Sequence, residues 1–416
     1  MENIIEDLNY RGLVAQYSNE EAVKELLSTK QTIYCGFDPS AASMHLGNYV
    51  MISFLKRFQK AGHRVVALVG GATGMIGDPS GKSKERNIQT KEALQANTES
   101  IRRQLERYID LSDPDKGVLL SNYDWLGNMN LIDFLRDYGK FFPINYMLSK
   151  EIVKSRLEAG ISFTEFTYQI LQAVDFYHLH HTEGVNIQIG GDDQWGNLTG
   201  GLELIRKLDG PEEKAEVLTS HLILRSDGKK FGKSEKGALF LDRNLTSPYT
   251  LYQYFMNVTD EDAIRFLKVF SFLSKEEIEE VAREHFANPG ARIGQKKVAY
   301  EITKDIHDKE AADEAVAMSE ALFSGNVASL KEREIEELFG EMKKSLAGPM
   351  LLEDLLIYLG AATSKREART FISGNSVSIN GAKIADQTKI VGPEDALYGK
   401  YIILRRGKKN YYLGQF

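Results

Sequence analysis

Apolar residues fall in short, near-continuous runs over the first half of the chain: QTIYCGF at 31–37, HRVVALV at 63–69, GVLLSNY at 117–123 and VNIQI at 185–189. Runs of this length predict strands, and their lack of alternation predicts burial on both faces, the mark of a parallel sheet. Between them, residues 48–60, 90–109 and 131–138 repeat apolar positions at helical spacing. Strands alternating with helices predict an open α/β fold, whose ligands gather beyond the carboxyl ends of the strands. Past residue 247 the strand pattern gives way to 3.6-residue spacing at 260–272, 275–286 and 296–307, which predicts packed helices. The tail is mixed, with short helices predicted at 350–359 and 365–372. They precede an alternating stretch at 376–384 whose Asn380-Gly381 signals a type I′ hairpin. The expected domains are a sheet domain over 1–246, a helical domain over 247–322, a connector over 323–349 and a small α+β domain over 350–416.

Length and composition narrow the class. A chain of 416 residues is long enough for two to four domains, and 42% hydrophobic with 27% charged residues is a globular composition. No run reaches the roughly 18 apolar residues of a membrane helix, so no membrane partner is expected. Cys35 is the only cysteine, and Glu2, Glu6 and Asp7 stand where a signal peptide carries positive charge. A reducing, cytoplasmic compartment is therefore expected. The net charge of −7 conceals a segregation. Residues 361–416 hold ten Lys or Arg against four Asp or Glu, a net +6, leaving 42 against 55 elsewhere, a net −13. A basic tail of this kind suits RNA, with the helix at 365–372 and Arg405-Arg406-Gly407-Lys408-Lys409 beside Tyr411 and Tyr412 as its candidate surface.

Two segments invite a phosphate-loop reading and fail its spacing. The glycine required five residues before Gly81-Lys82-Ser83 is Ile76, and before Gly232-Lys233-Ser234 it is Asp227. A different phosphate device is present. The strand ending Tyr34-Cys35-Gly36-Phe37-Asp38 leads to His45-Leu46-Gly47-Asn48, which opens a helix. A helix start offers unpaired N–H groups and the positive end of a dipole to an anion. His45 and Asn48 add donors, and Gly47 permits close approach. The plainer reading makes Asn48 an N-cap and His45 a loop residue. A second basic loop, Gly228 to Ser234, follows more than 180 residues later; taken alone, it reads as a solvated surface.

Together, HLGN and KFGKS resemble the paired HIGH and KMSKS signatures of class I aminoacyl-tRNA synthetases. GGATGMIGDPSGKSKER at 70–86, YQILQAVD at 168–175 and QIGGDDQWGN at 188–197 resemble the bacterial tyrosyl-tRNA synthetases. The basic tail is similar to the S4-like RNA-binding domain that ends this family. The resemblance implies a Rossmann-like parallel-sheet catalytic domain, a helical middle domain and a small S4-like α+β domain. It implies L-tyrosine, ATP and tRNA-Tyr as substrates, Mg2+ accompanying ATP with no dedicated protein metal site, and a homodimer. Phe141 to Met147 is a candidate dimer contact or ordinary core.

The resemblance also implies roles. Tyr34 and Asp175 would bind the substrate phenol, a group with one donor and one acceptor function. Asp78, Tyr168 and Gln172 would hold the α-ammonium; Tyr168, Gln172 and Asp175 stand at i, i+4 and i+7, so one helix face can present all three. Gln188 joins the tyrosine site, and Gln194 lies near the carboxyl end. Cys35, Gly36, Asp38, Gly47, Gly191 and Asp193 would surround the nucleoside, although a lone buried thiol is more often inert. His45, Asn48, Lys82, Arg86, Lys230 and Lys233 would bind the phosphates. Two departures are visible: Asn48 replaces the second histidine of HIGH, and Asp192 stands where a small residue is expected. Competing readings are a tryptophanyl-tRNA synthetase, a small-molecule nucleotidylyltransferase and a catalytically inactive RNA-binding protein.

Overall fold

A computed structural model describes residues 4–80, 89–158, 160–228, 231–234 and 237–416. By their contacts they form two compact units: residues 1–246 with 254–307, and residues 247–253 with 308–416. This division is coarser than the four segments expected from the sequence. Helices Asp260–Phe270, Lys275–Ala287 and Ile293–Ile306 belong to the first unit. They join it through apolar burial: Phe255, Phe266 and Phe270 are fully enclosed.

The first unit is built on a six-stranded sheet of β1 (Val14–Tyr17), β2 (Thr32–Phe37), β3 (Arg64–Val69), β4 (Gly117–Ser121), β5 (Val185–Gly191) and β6 (Glu216–Ser220). Its order is β1-β6-β5-β2-β3-β4; every neighbour pair is parallel except β1 with β6. The four strands expected from apolar runs are β2 to β5. The strand at 117–123 stops at Ser121, and the helix at 131–138 is one turn followed by a wider π-type turn over Phe134–Tyr138. Between β2 and β5 the direction of strand progression reverses. At such a switch point, the crossovers leave in opposite directions and open a crevice at the carboxyl ends. Helix Leu46–Lys60 starts at that end, as does Trp195–Asp209, while the 21-residue helix Phe163–Glu183 packs along both β5 and Trp195–Asp209.

The second unit holds a five-stranded sheet in the order Ala382–Lys383, Val377–Ile379, Tyr401–Arg406, Asn410–Gln415, Lys343–Ser345. Asn380 (φ 50°) and Gly381 (φ 89°) form the hairpin tip, and positive φ at both central positions is the requirement of a type I′ turn. Leu352, Leu355, Leu356, Ile372, Ile402 and Leu404 fill the core under this sheet. Residues 323–349, expected as a connector, are part of the unit. Lys343–Ser345 adds a parallel edge strand, Leu346 enters the same core, and Ile335 and Phe339 enter a second one with Tyr401 and Ile403. No described helix is long and apolar enough to cross a membrane.

Candidate active site

The crevice at the switch point is a cavity of about 600 Å³. Every candidate residue within the described set lines it: Tyr34, Cys35, Gly36, Asp38, His45, Gly47, Asn48, Asp78, Tyr168, Gln172, Asp175, Gln188, Gly191, Asp193, Gln194 and Lys233. Lys82, Arg86 and Lys230 lie outside the described residues.

One end of the cavity is deep and apolar-walled. Tyr34 on β2, paired in register with Gln188 on β5, is 1% exposed and leans on Phe176 with ring centroids 5.6 Å apart. Asp175, from the long helix, is 2% exposed. Its Oδ2 accepts from Asn122 Nδ2 at 2.9 Å and its Oδ1 from the Trp125 indole Nε1–H at 2.8 Å. Burial raises the Asp175 carboxyl to about 7, against the opposing pull of those two donors. The Tyr34 hydroxyl is pushed well above its usual range, first by burial and then by the nearby Asp175 charge. Tyr34 Oη, Gln172 Oε1 and Gln188 Oε1 are buried with no hydrogen-bond partner among the described residues. Buried polar atoms are rarely left unsatisfied, so three together at one cavity end mark a ligand position.

A chain of hydrogen bonds joins this end to its surroundings. Asn122 Nδ2 donates to Thr73 Oγ1, Thr73 donates to Asp38 Oδ1 at 2.7 Å, and Tyr168 donates to Asp38 Oδ2 at 2.8 Å. Asp38, expected at the nucleoside, is thus tied on both oxygens into the network of the amino-acid end. Asp78 accepts from the Ser80 backbone N–H at 2.9 Å and from Gln194 Nε2 at 2.7 Å. Having donated its proton, Tyr168 offers only lone pairs, and Gln172 Oε1 offers another. With Asp38 and Asp78, they form an acceptor-rich, negative position suited to an ammonium group.

The opposite end is donor-rich. His45 caps helix Leu46–Lys60: its Nδ1 accepts from the Gly47 N–H at 3.0 Å, and Asn48 Oδ1 accepts from the His45 N–H at 3.0 Å. The plainer reading, with Asn48 as N-cap and His45 as a loop residue, is corrected: His45 is the N-cap and Asn48 stands at the third helical position, and this capping box orients both. A neutral imidazole accepting at Nδ1 carries its proton on Nε2, and an amide using its oxygen in the cap has its NH2 left to offer. A Cβ on Gly47 would lie 2.8 Å from the His45 ring, so the close approach holds only for glycine.

The second loop is fastened to the first by backbone. The Leu46 N–H donates to Leu239 O at 2.8 Å, the Leu241 N–H to Met44 O at 2.8 Å, and the Leu239 N–H to Gly232 O at 2.9 Å. Gly232, at φ 70°, abuts Leu46 and Gly47, and Phe231 wedges between Phe266 and Phe270 with ring centroids 5.1 and 5.3 Å away. Lys233 is exposed and faces the same cavity as His45.

Several expectations change. Burial pushes the Cys35 thiol up to about 12, which makes it a wall of the cavity and no nucleophile. The Asp192 carboxylate is absent from the cavity lining. Its Oδ1 accepts from Gln16 on β1 and Thr219 on β6, pinning the turn that presents Asp193 and Gln194. Asn122, Trp125, Thr73 and Ser80 escaped the sequence reading. The rule that ligands sit past strand ends points at Asn122, which directly follows β4. Among the described residues, no group of three His, Cys, Asp or Glu side chains is gathered to hold a metal.

These features match known proteins. Residues 27–324 match the family model of the class I tRNA synthetases (W and Y), and the chain belongs to that family. Residues 334–414 match the tyrosine–tRNA ligase SYY-like C-terminal domain. The chain is 49% identical over 415 residues to the tyrosine–tRNA ligase of Bacillus caldotenax, and 48% identical to that of Geobacillus stearothermophilus. Each match covers 99% of both chains. A C-terminally truncated mitochondrial tyrosyl-tRNA synthetase of Aspergillus nidulans superposes with a TM-score of 0.71 at 30% identity, covering 78% of this chain and 95% of that one. Within its class, the chain groups with the tyrosine–tRNA ligases.

Proposed function

We propose that the cavity activates L-tyrosine with ATP and passes the tyrosyl group to the 3′ end of tRNA-Tyr. The observation that carries this reading is the pairing, in one cavity, of an unsatisfied Tyr34 hydroxyl beside buried Asp175 with the joined His45 and Lys233 loops. In the first step, a tyrosine carboxylate oxygen attacks the α-phosphorus in line, and the bond to the bridging oxygen breaks, releasing pyrophosphate. In the second, the terminal ribose hydroxyl of tRNA attacks the acyl carbon and AMP leaves. Asp175 accepts from the substrate phenol and Tyr34 completes the pair; Asp78, Tyr168 and Gln172 hold the ammonium, with Gln188 and Gln194 alongside. Cys35, Gly36, Gly47, Gly191 and Asp193 form the nucleoside wall, while Asp38 serves the ammonium end. His45, Asn48 and Lys233, with Lys82, Arg86 and Lys230, meet the phosphates. Catalysis comes from positioning and from stabilising charge on the leaving group. The described groups at the phosphate end are cations and amide or imidazole N–H donors, which fit phosphate oxygens rather than a cation, so Mg2+ travels on ATP.

We further propose a cytoplasmic homodimer. Leu131, Ile132 and Ile144 are 67, 66 and 61% exposed, and large apolar side chains left in water are the raw material of an interface; sedimentation at two concentrations tests it. For tRNA, the exposed turn between Tyr401–Arg406 and Asn410–Gln415 carries Lys408 and Lys409, while Lys365 and Arg369 are held by Glu353. Reversing Lys408 and Lys409 to Glu should spare pyrophosphate exchange and weaken tRNA charging. Tyrosine-dependent exchange of labelled pyrophosphate into ATP tests the reaction itself.

A further inference from the structure

The tyrosine end of the cavity is backed by a stack to which no role has been given. Trp125 donates its indole N–H to Asp175 Oδ1, so the direction of that carboxylate depends on where the indole sits. Trp125 comes from the one-turn helix Tyr123–Leu126, which is too short to hold a side chain by itself. Against one face of the indole, whose N–H points out at its edge, lies the imidazole of His178, with ring centroids 4.3 Å apart and 20° between the planes. His178 stands three residues beyond Asp175 on helix Phe163–Glu183, so one rigid element presents both the carboxylate and the ring that backs its donor. The neighbouring histidines are engaged elsewhere: His180 meets Val185 O at 2.7 Å and His181 meets Tyr177 O at 2.9 Å.

We propose that His178 is a positioning residue for substrate recognition: its ring clamps Trp125, the indole N–H stays aimed at Asp175, and the carboxylate stays aimed at the tyrosine phenol. This rests on the reading of Asp175 given above. His178 is absent from the cavity lining, so it acts through Trp125 alone. Burial lowers its pKa, with Glu183 opposing and His181 assisting, so the ring is neutral near pH 7 and the clamp is a stack of two flat neutral rings. A phenyl ring should serve equally, and a branched aliphatic chain of similar size should not.

The test is pyrophosphate exchange by the full-length protein with tyrosine titrated. His178→Ala and His178→Leu should each raise the KM for tyrosine about three- to tenfold, leaving kcat and the KM for ATP within about twofold. His178→Phe should restore the KM, and His178→Leu should add nothing once Trp125 is Phe. His178→Leu fills the space without a flat ring, so it reports on the clamp even if the alanine variant does not fold. Wild-type KM in His178→Leu, with exchange lost in Asp175→Asn, overturns the clamp and leaves the pocket reading intact. Failure of His178→Phe to rescue also overturns it. An unchanged tyrosine KM in Asp175→Asn overturns the pocket reading, and the clamp with it.

Discussion

The two ends of the cavity solve opposite problems. Around Tyr34 and Asp175 the walls are closed, and each polar group is either tied into a buried network or left waiting for one partner. Around His45 and Lys233 the groups are more open, borne on a helix start and a two-residue strand, and held together by main-chain hydrogen bonds, with helix capping orienting His45 and Asn48. A buried end pays for recognition in advance, since unsatisfied groups penalise a wrong ligand more than satisfied ones reward the right one. An open end with a cation suits a group whose charge grows and leaves. On the proposed reading, the difference teaches that discrimination and rate acceleration reside in separable residues.

The separation can be broken from either side. The largest effect is expected at the closed end: Asp175→Asn removes the carboxylate and points an NH2 at Asn122 or Trp125. It should lower kcat/KM for tyrosine in exchange by about a thousandfold. At the open end, Lys233→Ala should slow adenylate formation by about 10²–10³ in single turnover, with tyrosine affinity within about twofold; an unaltered rate removes Lys233 from its role. Gly47→Ala forces the His45 ring aside from a 2.8 Å contact and should cost about 10- to 100-fold in the same assay through misplaced donors, again sparing tyrosine affinity. The smallest effect sharpens the contrast by pH. Because the ionised Asp175 is the acceptor and burial holds its pKa near 7, the KM for tyrosine should rise about tenfold as pH falls from about 8 to 6. The linkage has the opposite sign for folding. A carboxyl whose folded pKa is raised costs stability progressively as pH rises from about 4 to about 7 and fully above it, so tyrosine should protect the fold most at alkaline pH in a melting series.

Strands β2 to β5 were legible because each carries an unbroken apolar run, largely buried in β2, β3 and β5 and half-buried in the edge strand β4. The other two were not: VAQY of β1 is a half-exposed edge, and EVLTS of β6 mixes a charge with hydroxyls that become buried only through tertiary contacts. Lys343–Ser345 is three exposed polar residues, so nothing in its pattern announces a strand. The cavity residues were legible in groups where one element presents them, as with Tyr168, Gln172 and Asp175. Asn122 and Trp125 were not, since their contact with Asp175 exists only once β4 and the long helix are brought together. The loops around His45 and Lys233 were legible as a resemblance, while the backbone ladder joining them was visible only in the fold. Asp192 shows the converse: a charge beside the site that serves the sheet edge.

The most direct test of the account is pyrophosphate exchange with tyrosine and phenylalanine compared on the same protein. Tyrosine should support exchange and phenylalanine should be at least about a hundredfold poorer in kcat/KM, because it leaves Tyr34 Oη unpartnered and offers no hydroxyl proton to the Asp175 carboxylate in a buried wall. Equal exchange with both amino acids would contradict the claim that this wall reads an aromatic hydroxyl.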